Sequence, residues 1–452
     1  MKVIIIEKLS EFEEFLEKSK SYDWITVPIY CNGDSPVYTD SISVLYVYVV
    51  NLDEEVILVF NHTEGLSLPE NILQSFPEDN KIFVWDKKKF VKFLNRKNLI
   101  DISLIEYFQK NQPIDEDFET PAHEFFTRNF GNFKNLNTII PITKHLEKCQ
   151  LIAQRFLDVY EFYHHDEAFN FYNETVINSL QQIEKNGLYT DSLFYKSKFE
   201  RGRLYDDYAY TEYNIYTTTG RPSNRFGGVN YAALKKDDGS RTAFISRFGS
   251  QGFLMSVDYD AYHLRLLAEL VDYQFPKDVS IHHYLGTYYF GKSVLTDEEY
   301  QESKSISFRQ LYGGIAQEYL QVPFYAKVHE YTQLLWEKYL EDGYIETPIA
   351  GRKLYQNFFT DMNAAKLLNY LLQSFETERN MAVIHNILAQ ISSFSSKLIL
   401  YTYDSLLIDF DMKDGGNFVR VIKAELEQNG KYPVKIEVGS NYNIMKDVTG
   451  KI

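Results

Sequence analysis

The chain has 452 residues, enough for about three domains at roughly 150 residues each, so it is not a lone binding module. With 44% hydrophobic and 24% charged residues, no large part has the balance of a disordered tail, and the whole is expected to fold. A net charge of −16 excludes a generally basic surface, so any phosphate contacts must come from local clusters of Lys and Arg.

Residues 1–110 alternate strand-like and helix-like stretches. Val3–Ile6 predicts a strand, Glu11–Lys18 a helix and Trp24–Cys31 a strand, followed by a hairpin of Val44–Val50 and Val56–Phe60 turning at Asn51-Leu52-Asp53-Glu54. The apolar run at the start is cut off by Glu7, too early for a signal peptide, and no window approaches a membrane span, so no membrane partner is expected. Cys31 and Cys149 stand alone, which supports neither a disulfide framework nor a Cys-based zinc site and points to a cytoplasmic protein. A strand at Lys81–Val84 leads into a basic helix through Lys97 and a helical stretch at Ser103–Gln109. Pro121 to Glu184 is mainly helical, with Leu151, Ile152, Phe156, Val159 and Tyr160 forming one stripe.

Gly187 to Thr219 is short, tyrosine-rich and irregular, and is taken as a connector. A second α/β unit follows: a strand at Phe253–Asp258, helices at Tyr262–Val271, Val279–Phe290 and Asp297–Tyr312, and a hairpin of Lys397–Tyr401 and Leu406–Asp409 turning at Tyr403-Asp404-Ser405. The fold class is therefore α/β, a multi-domain α+β chain.

Two carboxylates in this second unit have the setting of metal ligands. Phosphoryl transfer with two metals about 3.5–4 Å apart needs carboxylates brought together from separate strands. Asp258 ends an apolar strand before a helix, and Asp404 sits at a hairpin turn flanked by apolar residues. Taken singly, Asp258 also fits a helix N-cap and Asp404 an ordinary turn residue. Lys304, Phe308 and Tyr312 fall at i, i+4 and i+8, one helical face with a drift of about 40° per step. An ammonium among aromatic rings can hold a triphosphate while the rings stack on a base, although core packing is the commoner use of such rings.

In order and spacing these elements resemble a family A DNA polymerase of the bacterial DNA polymerase I type. Ser256-Val257-Asp258-Tyr259-Asp260-Ala261-Tyr262-His263-Leu264-Arg265 resembles the first palm motif, Lys304-x3-Phe308-x3-Tyr312-Gly313 the fingers helix, and Tyr403-Asp404-Ser405 the last palm motif. The resemblance implies a right-hand palm and fingers adding dNTPs to a primer on template DNA. It implies two Mg2+ ions held by Asp258, Asp404 and the Tyr259 backbone carbonyl, with Lys304 neutralising the phosphates and Phe308, Tyr312 and Tyr259 lining the nucleotide pocket. Thr219-Gly220-Arg221-Pro222-Ser223, Gly239-Ser240-Arg241-Thr242-Ala243-Phe244 and Asn369-x3-Gln373 resemble segments at the primer-template, which implies that Arg221, Arg241, Asn369 and Gln373 contact it. Ile281-His282 resembles a site where His meets the triphosphate, and Asn186-Gly187-Leu188-Tyr189-Thr190-Asp191 the lead into the thumb. The likeness spans residues 180–410.

The departures from the family are as informative. Tyr300 stands where the fingers helix usually has an Arg, leaving one phosphate contact missing or supplied elsewhere, Arg309 being the nearest alternative. His263 replaces the Glu that sits under the sugar, which puts sugar discrimination in doubt, and Ser405 replaces an acid after Asp404. Only residues 192–218 lie where the family has a long helical thumb, so a processivity or replisome subunit is expected to supply the duplex grip. The first domain stands where the family has a ribonuclease-H-like 3′–5′ exonuclease, yet Val27-Pro28-Ile29-Tyr30-Cys31 lacks the Asp-x-Glu of its first strand, Cys149 falls where an Asp is expected, and Asp101 alone cannot hold two metals. The expected layout is an inactive exonuclease-like domain at 1–165, a connector and vestigial thumb at 166–218, and palm and fingers at 219–452 with fingers at about 272–350. So compact and divergent a form fits a virus, phage or mobile element. Two other readings stay open: a non-catalytic DNA-binding scaffold, and a polymerase with relaxed sugar choice at His263.

Overall fold

The computed structural model of the chain describes residues 3–31, 41–111, 120–131, 133, 135–160, 163–200, 202–224, 229–276 and 279–451. They pack as two units, Met1–Lys185 and Asn186–Ile452.

The first unit is built on β1 (Ile4–Ile6), β2 (Trp24–Tyr30), β3 (Ile42–Val49), β4 (Glu54–Val59), β5 (Ile82–Val84) and β6 (Leu99–Asp101), in the order β1-β4-β3-β2-β5-β6. The central β4-β3-β2 run is antiparallel and the outer pairs are parallel. Every residue of β2 is buried, which is why Val27–Cys31 shows no polar alternation. α1 (Leu9–Ser19) lays Phe15 on Trp24 and Phe12 on Phe76, and α5 (Ile142–Tyr160) buries Ile152 and Phe156. Between them run α2 (Lys87–Phe90), α3 (Ile102–Lys110) and α4 (Pro121–Phe130), and the unit closes with α6 (Glu167–Asn170), a π segment at Phe171–Val176 and α7 (Ile177–Asn186).

Two sequence expectations fail in this unit. The basic helix through Lys97 is a single turn, because Lys87 and Lys88 are not solvated; they are buried against Glu174 and Glu184. Leu151 of the expected core stripe is 56% exposed, since α5 presents only Ile152, Ala153 and Phe156 of that stretch inward. The side chain of Val159 lies outside the described residues.

A chain of histidines ties α4 to α5. Thr120 Oγ1 lies 2.7 Å from His123 Nδ1, His123 Nε2 lies 3.3 Å from His145 Nδ1, and His145 Nε2 lies 2.8 Å from the Asn137 carbonyl. With each ring protonated on Nε2, every link has one donor and one acceptor. Burial, with His123, His62 and Lys148 nearby, pushes the His145 pKa down to about 3. A folded value below the unfolded value of about 6.5 means that the unfolded state binds the extra proton, so this contribution is lost as pH falls below 6.5. Asp101, pushed up to about 7 by burial, slopes the other way over the same range. The difference between wild type and His145→Gln isolates the histidine. In urea unfolding, wild type should lose about 2 kcal/mol relative to the variant between pH 7 and pH 5; equal losses in both proteins would show that His145 is protonated in the fold.

The second unit begins where the sequence shows an irregular connector, but the segment is more ordered than that. It holds β7 (Leu188–Tyr189) paired with β8 (Tyr208–Ala209), β9 (Tyr213–Asn214) paired with β10 (Ser223–Asn224), and α8 (Ser192–Lys198) capped by Asp191. Strands of two residues are below what periodicity can detect. β11 (Gly252–Tyr259) then leads into α9 (Tyr262–Leu270), α10 (Ile281–Phe290), α11 (Asp297–Gly313) and α12 (Pro323–Asp342). The hairpin β12 (Tyr344–Glu346) and β13 (Lys353–Tyr355) precedes α13 (Ala364–Gln390), and β14 (Lys397–Tyr401), β15 (Ser405–Asp411), α14 (Gly415–Glu427), β16 (Val434–Gly439) and β17 (Lys446–Asp447) complete the unit. The main sheet is antiparallel in the order β14-β15-β11-β16-β17, so β11 is central and the turn into β15 lies beside its end. Among the described residues no helix is long and apolar enough to cross a membrane.

Candidate active site

Asp258 and Asp404 come together at one end of the main sheet. Asp258 is in register with Ser405 across the β11–β15 pair, and the Tyr259 amide donates to the Asp404 carbonyl at 3.0 Å. The turn depends on Tyr403 in the left-handed region at φ 71, closed by Thr402 N to Ser405 O at 2.9 Å. Asp258 is half-buried. Burial and the neighbouring Asp404 carboxylate push the Asp258 pKa up to about 7; burial and Glu376 push that of Asp404 up as well. Lys236 and Lys435, the latter opposite Asp258 on β16, oppose the rise at Asp258. A carboxylate whose proton affinity is raised by a neighbouring carboxylate favours a cation for the same reason, and hard oxygen donors suit Mg2+. The residues therefore fit a divalent metal, which the Asp258 and Asp404 carboxylates could hold. Among the described residues no group of three or more His, Cys, Asp or Glu is placed to hold a metal ion.

A buried Arg under the sheet end fixes these strands. Arg379 of α13 donates to Tyr262 Oη at 2.8 Å and Tyr259 Oη at 3.2 Å, and its guanidinium lies 3.5 Å above the Tyr432 ring. Next to it, Asn380 donates to the Tyr403 carbonyl at 2.6 Å and accepts from Tyr262 Oη at 2.5 Å, holding the turn to the start of α9. Sequence reasoning missed Glu376, Arg379 and Asn380. The available signal was three polar or charged residues inside the long apolar stretch of α13, where charge normally marks an exposed face.

The stripe on α11 forms as its spacing predicts. A Thr296/Glu299 capping box starts the helix and Gly314 ends it. Phe308 and Tyr312 are stacked with ring centres 6.2 Å apart, 45% and 41% exposed, and Lys304 Nζ lies 4.7 Å over the Tyr300 ring. Tyr300 thus offers the Lys304 ammonium an aromatic face where the family has a second cation. Arg309 lies about 100° round the helix from Phe308 and its charge is felt at Tyr319, so it is not part of the stripe. His282 from α10 packs 6.1 Å from Phe308, and burial together with Lys304 pushes its pKa down to about 4, leaving a neutral donor.

The remaining site residues are held by neighbours. Gln373 donates to Asn369 Oδ1 at 3.0 Å and accepts from Thr219 at 3.3 Å, which brings the polar side of α13 to the segment before Arg221. Arg221 lies 3.1 Å from Glu376 and 3.9 Å over the Tyr403 ring. Arg241 donates through two nitrogens to the Leu234 carbonyl and stacks on Tyr442 at 4.4 Å, so its contacts brace the loop before β11. His263 meets Tyr312 and Glu376.

No family model matches the sequence. It is 23% identical to DNA polymerase I of Synechocystis sp. over 286 residues, 52% of this chain and 29% of that protein. It is 24% identical to DNA polymerase I of Caldicellulosiruptor bescii over 263 residues, 50% of this chain and 31% of that one. The chain thus spans under a third of the length of the curated relatives it matches. The polymerase domain of Pol1 from M. smegmatis, solved with a DNA primer-template and dNTP, matches with a TM-score of 0.68 at 14% identity, over 98% of this chain and 99% of that chain. By fold, the chain is like that polymerase domain.

In the first unit the residues expected to degenerate have ordinary structural roles. Asp101 caps α3, accepting from the Leu104 and Lys87 amides at 2.8 and 2.7 Å. Burial pushes the Cys149 thiol up to about 12, far from the thiolate that binds metals.

Proposed function

We propose that the chain is a template-directed DNA polymerase that adds dNTPs to a primer 3′ end by two-metal nucleotidyl transfer in DNA replication. The observation that carries this reading is the meeting of Asp258 and Asp404 on adjacent strands of the palm. When bound there, two Mg2+ ions supply charge for the phosphoryl oxygens and activate the primer hydroxyl. Asp258, Asp404 and the Tyr259 carbonyl hold them. The Lys304 ammonium neutralises the triphosphate, His282 donates to it as a neutral ring, Phe308 flanks the incoming sugar and base, and Tyr312 packs near the templating base. Arg221, Asn369 and Gln373 line the primer-template side, with Arg241 bracing the approach.

In this reading residues 1–165 are an inactive exonuclease-like platform, and 166–218 a connector with a vestigial thumb. A processivity or replisome subunit supplies the missing grip, in the cytoplasm of the cell or of a viral host. The competing reading, a scaffold that binds DNA without synthesis, is favoured by the short 192–218 segment. Primer extension on a short primer-template with Mg2+ separates the two. Template-dependent extension is expected, in short bursts per binding event and with no excision of a mismatched 3′ end. Binding of primer-template without any extension would favour the scaffold, and excision would revive the exonuclease.

A further inference from the structure

Glu376 is 1% exposed in the middle of α13, flanked by Leu372 and Phe375, where an unpaired carboxylate would be strongly destabilising. It has two charged neighbours. His263 Nε2 lies 2.9 Å from one carboxylate oxygen and Arg221 Nε lies 3.1 Å from the other. The second ring nitrogen of His263 meets Tyr312 Oη at 2.6 Å, and the Arg221 guanidinium covers Tyr403, the residue before Asp404. Four segments converge on this carboxylate: the end of α11, the first turn of α9, α13 and the stretch before β10. Neither Arg221 Nε nor His263 Nε2 is aligned as a full hydrogen bond, and the bond to Tyr312 is the directional one.

Proton positions follow from these contacts. A ring nitrogen 2.9 Å from a carboxylate must carry its hydrogen, because two lone pairs would repel there. In the neutral imidazole Nδ1 then accepts, and the Tyr312 hydroxyl must point toward it. Removing the negative charge frees the tautomer, and with it the Tyr312 hydroxyl. Tyr312 is also the partly exposed end of the α11 stripe, so its orientation shapes what the pocket presents.

We infer that Glu376 is a positioning residue of the nucleotide pocket: through His263 it fixes Tyr312, and through Arg221 it braces the turn that carries Asp404. The role in nucleotide binding rests on the polymerase reading; the coupling among the four side chains does not.

The test uses the full chain labelled with ring-15N histidine, ten rings in all, with the His263 signal assigned by its loss in His263→Gln. Wild type should show His263 protonated on Nε2, and Glu376→Gln should redistribute the proton between the two nitrogens. In primer extension, Glu376→Gln should raise KM for dNTP about tenfold with a smaller change in kcat. The double variant with Tyr312→Phe should be no worse than the poorer single one, since both break the same link. A His263 signal unmoved by Glu376→Gln, or multiplicative effects of the two substitutions, would overturn the inference. Should Glu376→Gln fail to fold, Tyr312→Phe alone must still shift the Nδ1 resonance, and no shift would overturn it equally. If His263 responds but wild type extends no primer, the polymerase reading falls and the network stands. Extension with a silent His263 means the reverse.

Discussion

Asp258→Asn and Asp404→Asn are each expected to lower the rate of primer extension at saturating dNTP by about a thousandfold, on the order of 4 kcal/mol of barrier. The amide keeps the volume and one acceptor oxygen but removes the charge a divalent cation needs. The same substitutions should not destabilise the fold. Asp404 raises the proton affinity of Asp258, and Glu376 raises that of Asp404, so deleting one negative charge relieves repulsion. The pair of outcomes is what separates a working site from a structural one: activity lost while the thermal midpoint stays level or rises. A midpoint that falls with the activity would place these carboxylates among the supports of the turn, and extension retained by either variant would remove it from the metal site.

Lys304→Met is expected to cut kcat/KM for dNTP by about a hundredfold, with most of the loss appearing in KM if the ammonium meets the triphosphate before the chemical step. Met keeps the stem that lies along Tyr300, so packing should survive. Arginine should restore only part of the loss, because a planar fork cannot replace a compact charge in the same space. A second readout needs no turnover. The Lys304 charge helps hold His282 down, so its removal should raise the His282 pKa from about 4 toward the ordinary imidazole value, by NMR titration. An unmoved His282 would mean that burial alone sets it, and an unchanged KM would remove Lys304 from the nucleotide site.

Much of this arrangement could be read before any coordinates. The apolar run ending at Asp258, the apolar strands flanking Tyr403-Asp404-Ser405 and the four-residue spacing along α11 are local patterns, and local patterns survive folding. What could not be read depends on pairings far apart in sequence. Ser374, Glu376, Thr377, Glu378, Arg379 and Asn380 are all buried on α13, a run that by composition would be assigned to solvent. Their burial is tolerable only because Tyr262, Tyr403, Arg221 and Thr347, from four other places, come to meet them. Lys87 and Lys88 are missed for the same reason, since nothing near them in the chain announces Glu174 or Glu184. Leu151 fails in the opposite sense, an apolar residue on a helical stripe that the sheet does not reach.

Tyr403 at φ 71 is a non-glycine residue in a conformation that costs on the order of 1 kcal/mol, directly before Asp404. Glycine would adopt it freely, yet would give up the ring on which Arg221 rests. The turn is therefore held in that shape by its own Thr402–Ser405 bond and, from outside, by Asn380 and Arg221. Selection for heat resistance alone would be drawn to this position, and a chain improved that way would melt higher while losing registry at one of its two site carboxylates.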